Sequence, residues 1–245
     1  MRVGLFIPCY IDQFYPQVGI ATFELLEKLN VEVEYPLDQT CCGQPMANSG
    51  YEKDSLKTAS HFVNLFHEFD YIVAPSGSCV LHVKEHFHVL RQDKKVKKVR
   101  ESVIELTLFL NQVLQLKTPD GHFPHKVGIH HSCHGQRGLR LAQSSERVGD
   151  PFSMAHQLLS GIKEIELVEL QRADECCGFG GTFSVSEPEI STSMGDGRIQ
   201  DHLEQGAEII TGGDVSCLMH LEGLIKRQKL PIKTMHIAEI LNQVY

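Results

Sequence analysis

The chain has 245 residues, 42% of them hydrophobic and 22% charged, which is the composition of an ordinary globular protein. Its formal net charge of −8 argues against nucleic acid as a main partner, because phosphate binding needs a surplus of Lys and Arg on one face. No apolar run approaches the length of a membrane span, and the stretch after Met1 is too short for a signal peptide, so the expectation is a cytoplasmic protein whose eight cysteines stay reduced.

In chain order, residues 2–7 read as a buried strand leading to Cys9. Residues 16–29 carry Val18, Ala21, Leu25, Leu26 and Leu29 at helical spacing, and Val31 to Tyr35 alternates like a strand. A second helix is expected over 52–68, with Leu56, Ala59, Phe62, Val63 and Phe66 on one face. Asp70 to Ala74 reads as a third strand, followed by a helix from about residue 79. The basic stretch Lys94–Arg100 reads as a solvated loop or helix start. Gln115–Pro124 holds the Pro and Gly of a linker, after which strands are expected near 126–131, 164–169 and 207–211. Such alternation predicts an α/β fold of two tandem, pseudo-symmetric domains, 1–117 and 125–245, each a mostly parallel sheet flanked by helices.

The tandem reading rests on repeated landmarks. Val3-Gly-Leu-Phe-Ile-Pro-Cys9 is echoed by Val127-Gly-Ile-His-His-Ser-Cys133, and Cys41-Cys42-Gly43 by Cys176-Cys177-Gly178. Cys79 and Cys217 then follow in similar settings, each with a histidine three residues later, His82 and His220. Each half therefore offers four cysteines, and none is left over. A repeat of about 130 residues is too long for a solenoid and indicates a duplicated domain. Cys9, Cys79, Cys133 and Cys217 each follow an expected strand, at the edge where open α/β sheets bind ligands.

Four thiolates suit zinc or an iron–sulfur cluster. The adjacent pairs favour the cluster, because neighbouring cysteines chelate a single tetrahedral ion awkwardly but can each take a different iron. Zinc in one half is the alternative, and with it a non-redox module held together by zinc or bare thiols. The loop Phe179-Gly180-Gly181-Thr182-Phe183 fits neither a P-loop nor the dinucleotide-binding glycine pattern, so nothing points to NAD; a close-packed loop over the metal is expected there. His82 and His220 are candidates to donate N–H to a cluster sulfur. His130, His131 and His134 flank Cys133, while His86, His88, His122 and His125 read as solvated.

These motifs resemble the CCG, or cysteine-rich, domain, usually present twice and also found in heterodisulfide reductase and in the iron–sulfur subunit of glycolate oxidase. The segments Ile7–Pro16, Cys41–Pro45 and Ala74–Cys79 are most similar to the lactate utilization protein A family. The resemblance spans the whole chain. It implies one iron–sulfur cluster per domain, 4Fe-4S in type, held by Cys9, Cys41, Cys42 and Cys79 and by Cys133, Cys176, Cys177 and Cys217. It also implies an oxidoreductase subunit that transfers electrons with other subunits of an L-lactate-oxidising complex, contributing to formation of pyruvate. The family's closing CxxC is incomplete here. Ser76 and Asp214 stand where its first cysteine would be, either as oxygen ligands or as nearby hydrogen-bond partners.

Overall fold

The computed structural model describes all 245 residues. Two four-stranded parallel sheets form its frame. The first contains β1 (Val3–Leu5), β2 (Val33–Glu34), β3 (Tyr71–Ala74) and β4 (Val103–Glu105), in the order β2-β1-β3-β4. The second repeats it with β5 (Lys126–Ile129), β6 (Glu166–Leu167), β7 (Ile209–Gly212) and β8 (Lys233–His236), in the order β6-β5-β7-β8. The registers also match: Val3 lies opposite Val33 and Tyr71, and Val127 lies opposite Leu167 and Ile209. This is the expected α/β architecture of two tandem lobes, with one correction. The sequence pattern predicts three strands per half and the structure has four. β4 and β8 are short edge strands; Lys233-Thr-Met-His236 is too polar to read as a strand because little of it is buried.

The central strand β1 is buried along its length, as a parallel strand covered by helices on both faces must be. On its outer face the helix Leu56–Phe66 lays Phe62 and Phe66 against Phe6, with ring centroids 4.8 and 5.9 Å apart. Gly4 lets Phe69 close over the strand, where a Cβ would stand 2.7 Å from the ring. The basic stretch folds as the helix Lys94–Ser102, capped by Asp93 and burying only Val96 and Val99.

The largest core belongs to neither lobe alone. Val3, Leu5, Leu25, Leu26, Leu106 and Phe109 pack with Val127, Leu159, Ile209, Ile237, Ile240 and Leu241 in one apolar layer between the sheets. There the helix Ile237–Val244 lies on the helix Pro16–Lys28, and Asn242 donates to Glu24 at 2.7 Å. Ile240 and Leu241 are fully buried, each stabilising the pairing of lobes by roughly 1.5–3 kcal/mol. The carboxyl ends of both sheets are thereby fixed toward one another.

Candidate metal centre

Each cysteine is delivered by the end of a strand. Cys9 opens the helix Cys9–Phe14 just beyond β1, and Cys133 stands beyond β5. Cys79 lies in the first turn of the helix Gly77–His86 after β3, and Cys217 in the first turn of Val215–Gln228 after β7. The adjacent pairs sit in loops after β2 and β6 and end in a left-handed turn at Gly43 (φ +91°) and Gly178 (φ +87°). A Cβ on Gly178 would approach the Ser191 carbonyl oxygen to 2.5 Å, so only glycine turns the chain there.

All eight cysteines line one cleft of about 480 Å³ between the lobes. Its rim is closed by contacts from lobe to lobe. The Tyr10 and Phe179 rings meet edge to face at 6.1 Å, and the Ser49 and Thr182 hydroxyls hydrogen-bond at 2.9 Å. Phe179, Gly180, Gly181 and Thr182 line the cleft, the place expected of the glycine-rich loop.

The thiols of each lobe touch in a chain. Cys9 Sγ donates to Cys41 Sγ at 3.6 Å, and the Gly43 N–H donates to the same sulfur at 3.3 Å. Cys41 is pulled down to about 3 by the Cys42 thiol and then by Cys9. Cys176 is pulled down to about 2 by Cys133 and then Cys177, and the Gly178 N–H donates to it at 3.3 Å. The donors move the other way. Cys9 and Cys42 are raised by donating to Cys41, and Cys133 and Cys177 by donating to Cys176; burial raises all of them further. In each lobe one thiol is favoured as the anion over neighbours that must give up protons before they can ligate a metal.

Ser76 and Asp214 are equivalent residues that meet each other. They pair as an isolated antiparallel bridge where the lobes abut, and both line the cleft. Asp214 Oδ2 accepts from the Ser78 N–H at 2.8 Å, and Oδ1 accepts from the hydroxyls of Ser78 and Ser216, both at 3.1 Å, and Ser76 at 3.3 Å. Ser76 also caps the helix that carries Cys79. His82 is buried, stacked on His86 at 5.1 Å, and lowered to about 4 by burial. His220 lies 3.2 Å from the Ser191 carbonyl and 6.2 Å from the Phe179 ring. His86, His88, His122 and His125 are exposed or half-buried at the surface, as their sequence setting implies.

Sequence reasoning missed a buried polar cluster behind the second set of cysteines. The helix Pro188–Glu204 turns Arg198, Asp201 and His202 inward, toward His130. Arg198 is fully buried and donates to Asp201 and to the Arg172 carbonyl. Asp201 also accepts from the N–H groups of Gln171 (3.1 Å) and Arg172 (3.0 Å). Burial, and then the Arg198 charge, lower His130 to about 3 and His202 to about 2. The signal was present: His130 interrupts an apolar strand where the first half has Phe6, and Gly195, Arg198, Ile199 and His202 repeat the spacing of Ala59, Phe62, Val63 and Phe66.

Comparison with known proteins fits this geometry. The cysteine-rich domain family matches residues 3–84 and again 127–222. Lactate utilization protein A of Halalkalibacterium halodurans is 43% identical over 99% of this chain and 97% of its own length. The protein of that name from Geobacillus sp. (strain WCH70) is 43% identical over 99% of both chains, and that from Bacillus pumilus 41% over the same shares. A hypothetical protein from Helicobacter pylori shares the fold, with a TM-score of 0.62 at 12% identity over 99% of this chain and 48% of its own. Two copies of the cysteine-rich domain and likeness along the full length mark this chain as a member of the lactate utilization protein A family.

Proposed function

We propose that the chain holds two iron–sulfur centres, one per lobe, and serves as an electron-transfer subunit in the oxidation of L-lactate to pyruvate with partner proteins. The observation that carries this reading is the convergence of two sets of four thiols on facing walls of one cleft. Cys9, Cys41, Cys42 and Cys79 would hold one centre, and Cys133, Cys176, Cys177 and Cys217 the other. The donor set fits: each lobe brings four thiols to the same cleft, with the Cys9 and Cys41 sulfurs 3.6 Å apart. When bound, such a cluster supplies a one-electron carrier. Lactate is assigned from the names of the relatives, and so is the need for further proteins.

The chain's own residues do the rest. Cys79 and Cys217 stand in the first turns of Gly77–His86 and Val215–Gln228, where the positive ends of two helices would favour an anionic cluster held beside them. Tyr10, Ile11, Phe179 and Val185 line the cleft with apolar surface and limit water. Asp214 is a strut in this reading, since both carboxylate oxygens are committed to Ser76, Ser78 and Ser216. No helix is long and apolar enough to cross a membrane.

Purification under argon tests the proposal. Brown protein with iron and sulfide in matching amounts, absorbing broadly near 400 nm, is expected. Colourless protein containing zinc overturns it and supports the non-redox scaffold instead.

A further inference from the structure

We propose that His130 is a nitrogen ligand of the second lobe's metal centre, so that the two centres differ in ligand chemistry: four thiolates in the first, four thiolates and an imidazole in the second. The inference deepens the reading above and rests on each lobe holding a metal. A ring nitrogen of His130 and the sulfurs of Cys177 and Cys217 all lie within 4.8 Å of one another. Donors sharing one metal through a metal–nitrogen bond of about 2.0 Å and metal–sulfur bonds of about 2.3 Å would stand about 3.5–3.8 Å apart, so the three atoms need draw together by no more than about 1.3 Å.

A second observation is independent of distance. His130 is only 2% exposed, and neither ring nitrogen makes a hydrogen bond within the protein. Burying a polar group without a partner is costly, and a histidine has two such groups. A metal on one nitrogen removes half of that cost. The other nitrogen has an outlet on the far side. His130 also lines a small cavity of about 30 Å³, shared with Thr107, His131 and Glu105. Glu105 comes from the first lobe, and its Oε1 is likewise buried without a partner. The space admits a water linking the two, and a ligating histidine usually secures its second nitrogen through a carboxylate, carbonyl or water.

The first lobe has a buried histidine, His82, whose Nδ1 also lacks a partner, but it comes from the helix Gly77–His86 and not from the matching place beyond the central strand. The residue at that place is Phe6, packed against Phe62 and Phe66. A different ligand set and a different polar setting give the two clusters different potentials.

The test uses protein purified under argon with ¹⁵N-labelled histidine, reduced and examined by pulsed EPR. One strongly coupled histidine nitrogen is expected. It should vanish in H130F, which copies Phe6, and in H130Q, and persist in H82F and H220F. A redox titration should show two midpoints in the wild type, only one of them shifting in H130F. No coupled nitrogen in the wild type, or coupling that survives in H130F or H130Q, overturns the proposal; the wild-type measurement decides even where a variant fails to fold. Iron and sulfide analysis separates this outcome from failure of the iron–sulfur reading. If neither element is found, cobalt(II) is titrated in as the paramagnet. Histidine coupling lost in H130F then sustains the ligand assignment, and cobalt that fails to bind or shows no nitrogen coupling removes it.

Discussion

Phe6 and His130 occupy the same point of the two lobes. Each stands one residue beyond its central strand and donates its backbone N–H to the neighbouring strand, Phe6 to Val73 at 2.9 Å and His130 to Thr211 at 2.7 Å. Behind Phe6 the first lobe is aromatic: Phe62, Phe66 and Phe87 surround it beside Cys42 and Cys79. Behind His130 the second is polar: Arg198, His202 and Thr211 replace that packing, and several of their buried polar atoms have no partner. The duplication kept the backbone and the thiols while the material behind them diverged. If the thiols hold metal as proposed, the cysteine motif sets where, and the residues behind it set the electrostatic setting that the metal would meet.

The largest effect that would sharpen this contrast is loss of one centre alone. Cys42→Ser should remove one centre's iron and sulfide and leave the other, and Cys177→Ser should do the converse, read by metal analysis and EPR of each variant. Retention of the full metal content by either would show that the lobes are not separate sites.

The next effect is on folding. Arg198→Met leaves Asp201 buried without its cation and should cost about 3–5 kcal/mol in denaturant unfolding. Adding Asp201→Asn should recover part of that loss. Phe62→Ala in the first lobe should cost a similar ~3–5 kcal/mol through cavity formation, with no charge partner available to rescue it.

A smaller effect is on the dependence of stability on pH. His202 is buried neutral, lowered from 6.5 to about 2 by burial and then by Arg198. Below pH 6.5 the unfolded chain takes a proton that the folded chain refuses, so stability falls as pH drops toward the folded value, by up to about 1.4 kcal/mol per pH unit. His202→Phe should lessen that slope by one proton's share, while His82, His130, His131 and His236, lowered for the same reason, keep theirs. Glu105, raised from 4.5 to about 7 by burial, acts with the opposite sign across that window and is untouched by the substitution. An unchanged acid limb would show that His202 is not the group responsible.

The smallest effect is at the rim. Tyr10→Ala removes the edge-to-face contact with Phe179 and should cost roughly 0.5–1.5 kcal/mol beyond lost area. Faster quenching of the reduced centres by oxygen would be the companion sign that the rim limits access.

Much of this was legible in the chain itself. Val3-Gly-Leu and Val127-Gly-Ile announce buried parallel strands because such strands carry apolar side chains on both faces. The register of eight cysteines announced two equivalent sites, since four thiols recurring in order have no structural explanation singly. The strands β4 and β8 were not legible: Val103–Glu105 is only three residues long and ends on a charged Glu, and Lys233–His236 is mostly polar, so neither carries a clear strand pattern.

By itself, then, the sequence determined the duplicated α/β unit, the four thiols of each copy and the residues that bring them to the strand ends. Only the tertiary structure decided that both sets face one cleft, that Ser76 and Asp214 meet across the lobes, and that His130, Arg198 and His202 share a buried space behind one set alone. The reason is physical. Periodicity and spacing are properties of neighbouring residues, whereas the meeting of Asp214 with Ser78 depends on how two separately wound sheets are pressed together by the apolar layer between them, and that of His130 with Cys217 on the pairing of β5 with β7 inside one sheet.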